Sequence, residues 1–207
     1  GLSYHILQHS GSWGWGSTSG TYLIQDASTD AYAYKYPDFF NLYAAGGSGP
    51  GSHTISHPGI AKNVLTIGAC GNGTNSNTLA SFSGRGPTED NRIKPNLCAP
   101  GIGIISAQGG TTNGYWSMDG TSFSTSCANG SIGLIRSYLA SGYYPTGAAN
   151  PPDSIRYISS ALVRAMAMVS ADPNIGPYVP PSFNIGWGRI DIDSVLYFAG
   201  DSRRLII

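Results

Sequence analysis

Two patterns of apolar and polar residues alternate along the chain, and their order predicts how its elements follow one another. Short apolar or β-branched runs, typical of strands, occur at 4–7, 38–45, 63–69 and 102–107. Apolar residues at helical spacing occupy 22–36, 121–139 and 154–170. Strands that alternate with helices in this way indicate an α/β domain with a mainly parallel sheet.

The two later helices carry signals beyond their spacing. In 121–139, Ala128, Gly130 and Gly133 would let the backbone of another element approach closely. In 154–170 the apolar face begins after Asp153, which we predict to cap the helix, and Pro173 follows its end. No repeat, linker or low-complexity tract divides the chain, so we predict one domain over residues 1–207.

Charge and hydropathy narrow the classes of partner. Only 11% of the residues are charged, with eleven basic and eleven acidic side chains. This balance gives no electrostatic argument for binding nucleic acid or an anionic membrane surface. No apolar run is long enough to cross a bilayer, and no N-terminal signal pattern is present.

Cys70, Cys98 and Cys127 are widely spaced and match no zinc pattern. An odd number of cysteines leaves at least one thiol free or paired with another chain. We predict that Cys98 and Cys127 are small buried apolar residues, and the cysteines do not decide the redox compartment.

Gly120-Thr121-Ser122 stands at the start of the predicted helix 121–139. A hydroxyl in the first turn lies beside unpaired N–H groups and the positive end of the helix dipole, which stabilise developing negative charge. The same residues also fit an ordinary N-cap by Thr121 or Ser122. The nucleophile elbow of α/β-hydrolases fits less well, because it requires glycine where this chain has Ser124.

Other segments, in order along the chain, favour the nucleophile interpretation of this turn over an ordinary N-cap. They are Ser12-Trp13-Gly14, Ala44-Ala45-Gly46, Ser48-Gly49-Pro50, Thr54-Ile55-Ser56, Pro58-Gly59, the run 61–69, the run 82–87, the run 92–95, Ala99-Pro100-Gly101 and the run 186–190. Together with the Ser122 turn they resemble the subtilase family of serine proteases, most closely its oxidatively stable alkaline members. The related sedolisins share the glycine-threonine-serine turn but do not explain 82–87 or 99–101 as well.

The resemblance implies the C-terminal part of a subtilisin-like three-layer domain, with a mainly parallel sheet, helices on both faces and its N-terminal portion missing. Ser122 would be the nucleophile of a peptidase acting on peptide or protein substrates. Six residues would border the substrate cleft, where an extended peptide pairs with a strand. They are Ser12, Trp13, Gly14, Ala44, Ala45 and Gly46. Alternatively, Trp13 and Trp15 only cover the edge of the core.

The chain departs from the family at the other catalytic residues. Subtilases order their triad as aspartate, histidine, serine, but His5, His9, His53 and His57 all lack the family's histidine-glycine-threonine-histidine setting. We interpret His53 and His57 as loop histidines. The first acidic residue, Asp26, follows His5 and His9. We therefore expect the catalytic aspartate and histidine upstream of Gly1 or on another chain.

The oxyanion region and the nucleophile helix depart as well. Gly47 stands where relatives have the asparagine that donates to the oxyanion, which leaves backbone donors such as the Ser122 N–H. Ser126 replaces a proline, and Asn129 replaces a small apolar residue.

Two hypotheses follow. The chain is the nucleophile-bearing part of a serine endopeptidase, or it is a pseudoprotease that keeps the fold for assembly or for binding peptides. The resemblance also suggests structural calcium, for which no ligands can be assigned, and an extracellular or secretory-lumen location. Asn72-Gly73-Thr74 is a glycosylation sequon in a polar loop and agrees with that location.

Overall fold

A parallel four-stranded sheet forms the centre of the protein in the computed structural model, which describes residues 6–16 and 19–206. Its strands lie in the order β1 (Gln8–Gly11), β2 (Phe40–Ala44), β3 (Leu65–Cys70) and β4 (Leu97–Pro100). Every neighbouring pair is parallel. The predicted α/β class with a mainly parallel sheet is confirmed.

Helices cover both faces of the sheet, which explains why β2 and β3 are buried throughout. Asn41 and Tyr43 of β2 line a hollow together with Ser28 and Tyr32 of α1 (Ile24–Lys35). The alternate residues of β2 belong to the core shared with α2 (Thr121–Ala140) and α3 (Ser160–Val169). The result is a three-layer arrangement, as predicted.

The main core lies between the sheet and the two later helices. The buried side chains of this core include Phe40, Leu42, Leu65, Ile67, Leu97, Ala128, Ile132, Ile135, Leu139, Val163 and Met166. The helix α2 packs against all four strands. These contacts fix the position of its first turn relative to the sheet.

An antiparallel hairpin precedes α2. It consists of β5 (Ile104–Ala107) and β6 (Tyr115–Met118), and most of its side chains are exposed. The strand predicted at 102–107 exists, but it belongs to this hairpin rather than to the parallel sheet. The fourth strand of the sheet is β4, which the sequence did not reveal because only four residues separate Pro95 from Pro100.

Two predicted boundaries are wrong. Part of the strand predicted at 4–7 lies outside the described residues, and Ile6 and Leu7 precede β1 rather than belong to it. The last helix begins at Ser160, where the Ser159 hydroxyl accepts a hydrogen bond from the Leu162 N–H at 3.2 Å.

Asp153 instead lies in a 3₁₀ turn (Pro151–Asp153) and accepts from the Asn150 side chain. The intervening segment is not helical because its N–H groups find other acceptors. The Ile155 N–H donates to Leu139 O at 3.1 Å, and the Ser160 N–H donates to Pro37 O at 2.7 Å.

The three cysteines form no disulfide. Cys70 and Cys98 are buried on adjacent strands, as expected for Cys98, and burial raises the pKa of both thiols. The prediction for Cys127 is wrong, because this residue is exposed. The buried side of α2 is formed by residues such as Ala128, Ile132 and Ile135, and Cys127 lies outside that stripe.

Candidate active site

Ser122 is the second residue of α2, and its turn is tied to the end of β4. The Gly120 N–H donates to Gly101 O at 2.8 Å, which fixes the residue before the helix. The first N–H groups of an α-helix have no intrahelical acceptors, and those of Thr121 and Ser122 are in this position. The hydroxyl of Ser122 therefore lies where donors and the helix dipole favour negative charge.

Two hydrogen bonds join Ser122 to Ser12. The Ser122 hydroxyl donates to Ser12 O at 2.9 Å, and the Ser12 hydroxyl donates to Ser122 O at 3.0 Å. Both side chains are half-buried. This reciprocal contact fastens the nucleophile turn to the segment that follows β1.

An open cavity of about 560 Å³ lies in front of Ser122. It is lined by Ser12, Trp13, Gly14, Trp15, Gly16, Ala44, Gly46, Gly47, Ser48, Ser56, Thr121 and Ser122. Seven of the eight residues predicted for the cleft and oxyanion region contribute to this lining. Ala45 does not, because its side chain is fully buried against Ile55 and Ile60.

Trp13 and Trp15 form one side of the cavity. Their rings stack in parallel planes with centroids 5.3 Å apart, and the rings of Trp13 and Tyr43 lie nearly perpendicular with centroids 5.6 Å apart. Exposed fractions of 50% and 43% show that both indoles present a face to solvent. Both tryptophans line the cavity. The alternative that they only cover the edge of the core is therefore incomplete.

Gly46 and Gly47 also line the cavity, and they differ in their surroundings. Gly46 has a φ of 94°, and a Cβ there would lie 2.0 Å from the Ser56 hydroxyl, so glycine is required. Gly47 is exposed, and a Cβ would meet no heavy atom within 4 Å. The space that a side-chain amide would occupy is therefore open.

None of the described histidines lines the cavity in front of Ser122, and His5 lies outside the described residues. His9 is on β1 against Tyr43, and burial lowers its pKa. His53 and His57 lie in loops as predicted, but His57 is also buried. Its Nδ1 lies 2.7 Å from Oδ2 of the fully buried Asp26.

The Asp26–His57 pair was missed from the sequence, because no spacing rule relates residues 31 positions apart. Asp26, His57 and Ser122 follow one another in the order of a subtilase triad. However, His57 does not line the cavity, and the Ser122 hydroxyl bonds to Ser12 instead. The pair is therefore not a base for Ser122 in this structure.

The scattered acids are occupied by the protein itself. Asp30 accepts from the N–H groups of Lys62 and Asn63, and Asp119 accepts from the Gly103 N–H at 2.7 Å. Asp90 pairs with Arg92, and the hydrogen bond from Arg92 lowers the pKa of Asp90 to about 2. Within residues 6–16 and 19–206, no group of three or more His, Cys, Asp or Glu residues could hold a metal ion.

Comparison with known proteins agrees with this geometry. A family model described as "Subtilase family" matches residues 9–188. The chain belongs to the subtilase family. The narrower resemblance to oxidatively stable alkaline subtilases stays a prediction.

Similar subtilases occur in distant organisms. Serine protease AprX of Bacillus subtilis is 38% identical over 108 residues, which cover 44% of this chain and 24% of AprX. Pyrolysin of Pyrococcus furiosus is 30% identical over 176 residues, covering 73% of this chain and 12% of pyrolysin.

Solved subtilase structures share the fold. The prenylagaramide maturation protease PagA matches with a TM-score of 0.67 and 20% identity, covering 91% of this chain and 60% of PagA. Sphericase matches with a TM-score of 0.64 and 22% identity, covering 89% of this chain and 56% of sphericase.

This subtilase chain spans only part of its relatives, between 8% and 24% of the first three curated proteins it matches. The curated relatives AprX and pyrolysin are proteases of this family. No helix in the described part of the chain is long and apolar enough to cross a membrane.

Proposed function

We propose that this chain is the nucleophile-bearing part of a subtilisin-like serine endopeptidase. Ser122 attacks the scissile carbonyl, and a catalytic aspartate and histidine come from polypeptide outside residues 1–207 or from a second chain. The observation that carries the proposal is the Ser122 turn, which opens α2 at the edge of the cavity between Trp13 and Gly47. The start of a helix, the hydroxyl of Ser122 and a cleft large enough for a peptide therefore lie together at this point.

The cleft suits an extended peptide. The segment Ser12–Gly16 borders the cavity beside Ser122, and a peptide laid along it could exchange main-chain hydrogen bonds with it. The stacked faces of Trp13 and Trp15 favour apolar or aromatic side chains over anionic ones at that position.

Two neighbouring surfaces suit docking of the segment that carries the aspartate and histidine. β1 is an edge strand among the described residues, so its outer N–H and C=O groups are open to another strand. On α2, a Cβ at Gly130 or Gly133 would meet nothing within 4 Å, and Leu134 is 58% exposed. Gln8 of β1 donates to Asn129 O and Oδ1, so the two surfaces adjoin.

The rival interpretation is a pseudoprotease that uses the cleft for binding or the fold for assembly. Gly47, which offers no side-chain donor to an oxyanion, is the observation that favours it. Losing that donor slows subtilisin by about 10²–10³ in turnover, which weakens but does not abolish catalysis. A slow endopeptidase is therefore the better account.

Hydrolysis of a denatured protein such as casein, by the protein isolated in its native form, tests the proposal. Ser122→Ala should lower turnover by about 10⁶, as loss of the nucleophile does in subtilisin. Thr121→Ser, which keeps a hydroxyl in the same turn, serves as the matched control and should retain turnover. Equal hydrolysis by wild type and Ser122→Ala would refute the nucleophile role.

The location stays a proposal too. We expect an extracellular or secretory-lumen protein, and the exposed Asn72 in the loop before the 3₁₀ turn Gly73–Asn75 is accessible for glycosylation. Treatment with an amidase that removes N-glycans should reduce the mass of the native protein if Asn72 is modified.

A further inference from the structure

Asp26 and His57 form a buried polar pair outside the nucleophile turn. Asp26 is fully buried, and His57 is 6% exposed. Oδ2 of Asp26 accepts from the Leu23 N–H at 2.9 Å and lies 2.7 Å from Nδ1 of His57, while Oδ1 has no hydrogen-bond partner. A carboxylate buried in this way is costly unless its hydrogen bonds are kept, so the pair invites an explanation beyond packing.

The backbone of His57 is joined directly to the cleft. The Trp15 N–H donates to His57 O at 3.2 Å, and the His57 N–H donates to Trp15 O at 3.0 Å. The contact is close along its length, because a Cβ on Gly14 would lie 2.8 Å from Ser56 Cβ and 2.9 Å from His57 O. Trp15 and Ser56 both line the cavity. The imidazole thus lies behind two residues of the cleft wall.

We propose that the Asp26–His57 pair positions the peptide cleft by fixing the segment Trp13–Gly16 against Ser56. The carboxylate on α1 holds the imidazole, the backbone of His57 holds Trp15, and Trp15 holds the stacked Trp13. In this role Asp26 and His57 are positioning residues that do not touch the substrate. The effect on peptide affinity rests on the proposed function, whereas the effect on the tryptophans does not.

Asp30 provides a matched control on the same helix. One turn after Asp26, its carboxylate also joins α1 to the loop that contains His57, at the N–H groups of Lys62 and Asn63. Neither Lys62 nor Asn63 lines the cavity. A general loosening of α1 would follow either substitution, but only loss of Asp26 should disturb the tryptophan pair.

The protein has four tryptophans. The test labels them with 5-fluorotryptophan and records ¹⁹F NMR spectra. Asp26→Ala and His57→Ala should shift or broaden the Trp13 and Trp15 resonances and leave those of Trp116 and Trp187 unchanged. Asp30→Ala should leave all four in place. Resonances of Trp13 and Trp15 at their wild-type positions in Asp26→Ala, or equal changes in Asp30→Ala, would overturn the proposal.

Conservative variants keep the test decisive if the alanine variants fail to fold. His57→Asn carries its amide near the position of Nδ1 and should preserve the wild-type spectrum. His57→Gln carries its amide near Nε2 instead, so it should behave like a loss of the pair. Identical spectra for these two variants would contradict positioning through Nδ1.

In the native protease, His57→Gln should raise KM for a peptide substrate about tenfold, the change expected when one buried hydrogen bond is lost. Turnover at saturation should change by less than about threefold, since the reacting groups are untouched. An unchanged KM, with the tryptophan signals shifted, would overturn the effect on affinity. Absence of hydrolysis in the wild type as well would count against the proposed function alone.

Discussion

The two sides of the cleft differ in how completely they are built. Around Ser122, the proposed nucleophile, Ser122 and Ser12 exchange two hydrogen bonds, and the Gly120 N–H donates to Gly101 O just after β4. At Gly46 and Gly47, in the proposed oxyanion region, the loop is as firmly placed, with the Gly84 N–H donating to Gly46 O at 2.9 Å. Yet Gly47 projects nothing into the cavity.

The difference shows that the loop backbone at Gly46 and Gly47 is well defined, although position 47 carries no side chain. Gly46 cannot accept a Cβ, so the turn retains the conformation that directs residue 47 toward the cavity. In the proposed endopeptidase the missing side-chain donor slows turnover, and within the proposed oxyanion region this departure lies at position 47 alone. A single substitution at position 47 can therefore test whether the missing donor explains the difference.

Restoring the donor at position 47 should give the largest change. Gly47→Asn fits, because a Cβ there meets nothing within 4 Å and its φ lies outside the left-handed region. If the new amide reaches the oxyanion, turnover by the native protease should rise by about 10²–10³, the effect of one such donor in subtilisin. The measurement is kcat with a chromogenic peptide.

Gly47→Asp is the matched control, since it has the same size without an N–H donor. It should give no gain, because its negative charge opposes the charge that develops on the oxyanion. A gain as large as that of Gly47→Asn would mean that bulk alone improves the cleft. Equal inactivity of all three proteins would favour the pseudoprotease.

A second substitution separates stability from assembly. Gly130→Leu should stabilise the isolated chain by about 0.8 kcal/mol, because leucine favours a helix interior over glycine and the site is open. The same side chain should obstruct the segment proposed to dock on α2 and lower the activity of the native protease. Thermal unfolding and turnover measure the two effects.

Gly130→Ala accompanies this variant, because it gives a similar gain in helix propensity with a single methyl group. We expect it to retain more activity than Gly130→Leu. Full activity of Gly130→Leu would show that this face of α2 receives no docking partner.

The smallest predicted effect is on stability and concerns the N-terminus of α3. Ser159→Ala removes the hydroxyl that accepts from Leu162 N–H and should lower the free energy of unfolding by about 1 kcal/mol. Asp153→Ala, at the cap predicted from the sequence, should change it by less than about 0.5 kcal/mol. Urea unfolding of both variants tests this order, and the reverse order would restore Asp153 as the cap.

Features that depend on neighbouring residues could be predicted from the sequence. The turn at Ser122, the glycines at 46 and 47 and the helix 22–36 are each encoded within a few positions, and the described structure contains them. The start of α3 could not be predicted, because Ile155 and Ser160 bond to Leu139 and Pro37, which are distant in the chain.

The same limit applies to the interior of the site. Asp26 was the first acidic residue of a helix and His57 a loop histidine, and nothing local joins them. Only the packing of α1 beside the loop brings carboxylate and imidazole together. The stacking of Trp13 on Trp15 was likewise invisible, although their alternate positions put both on one side of an extended segment.

Labelling of Ser122 by a fluorophosphonate tests the central claim most directly. With the native protein, which includes the segment or chain that supplies aspartate and histidine, mass spectrometry should find the phosphonyl group on the peptide containing Ser122. The 207-residue chain alone should remain close to unlabelled, because a serine without its base is a poor nucleophile. Absence of label on Ser122 in the native protein would contradict the account.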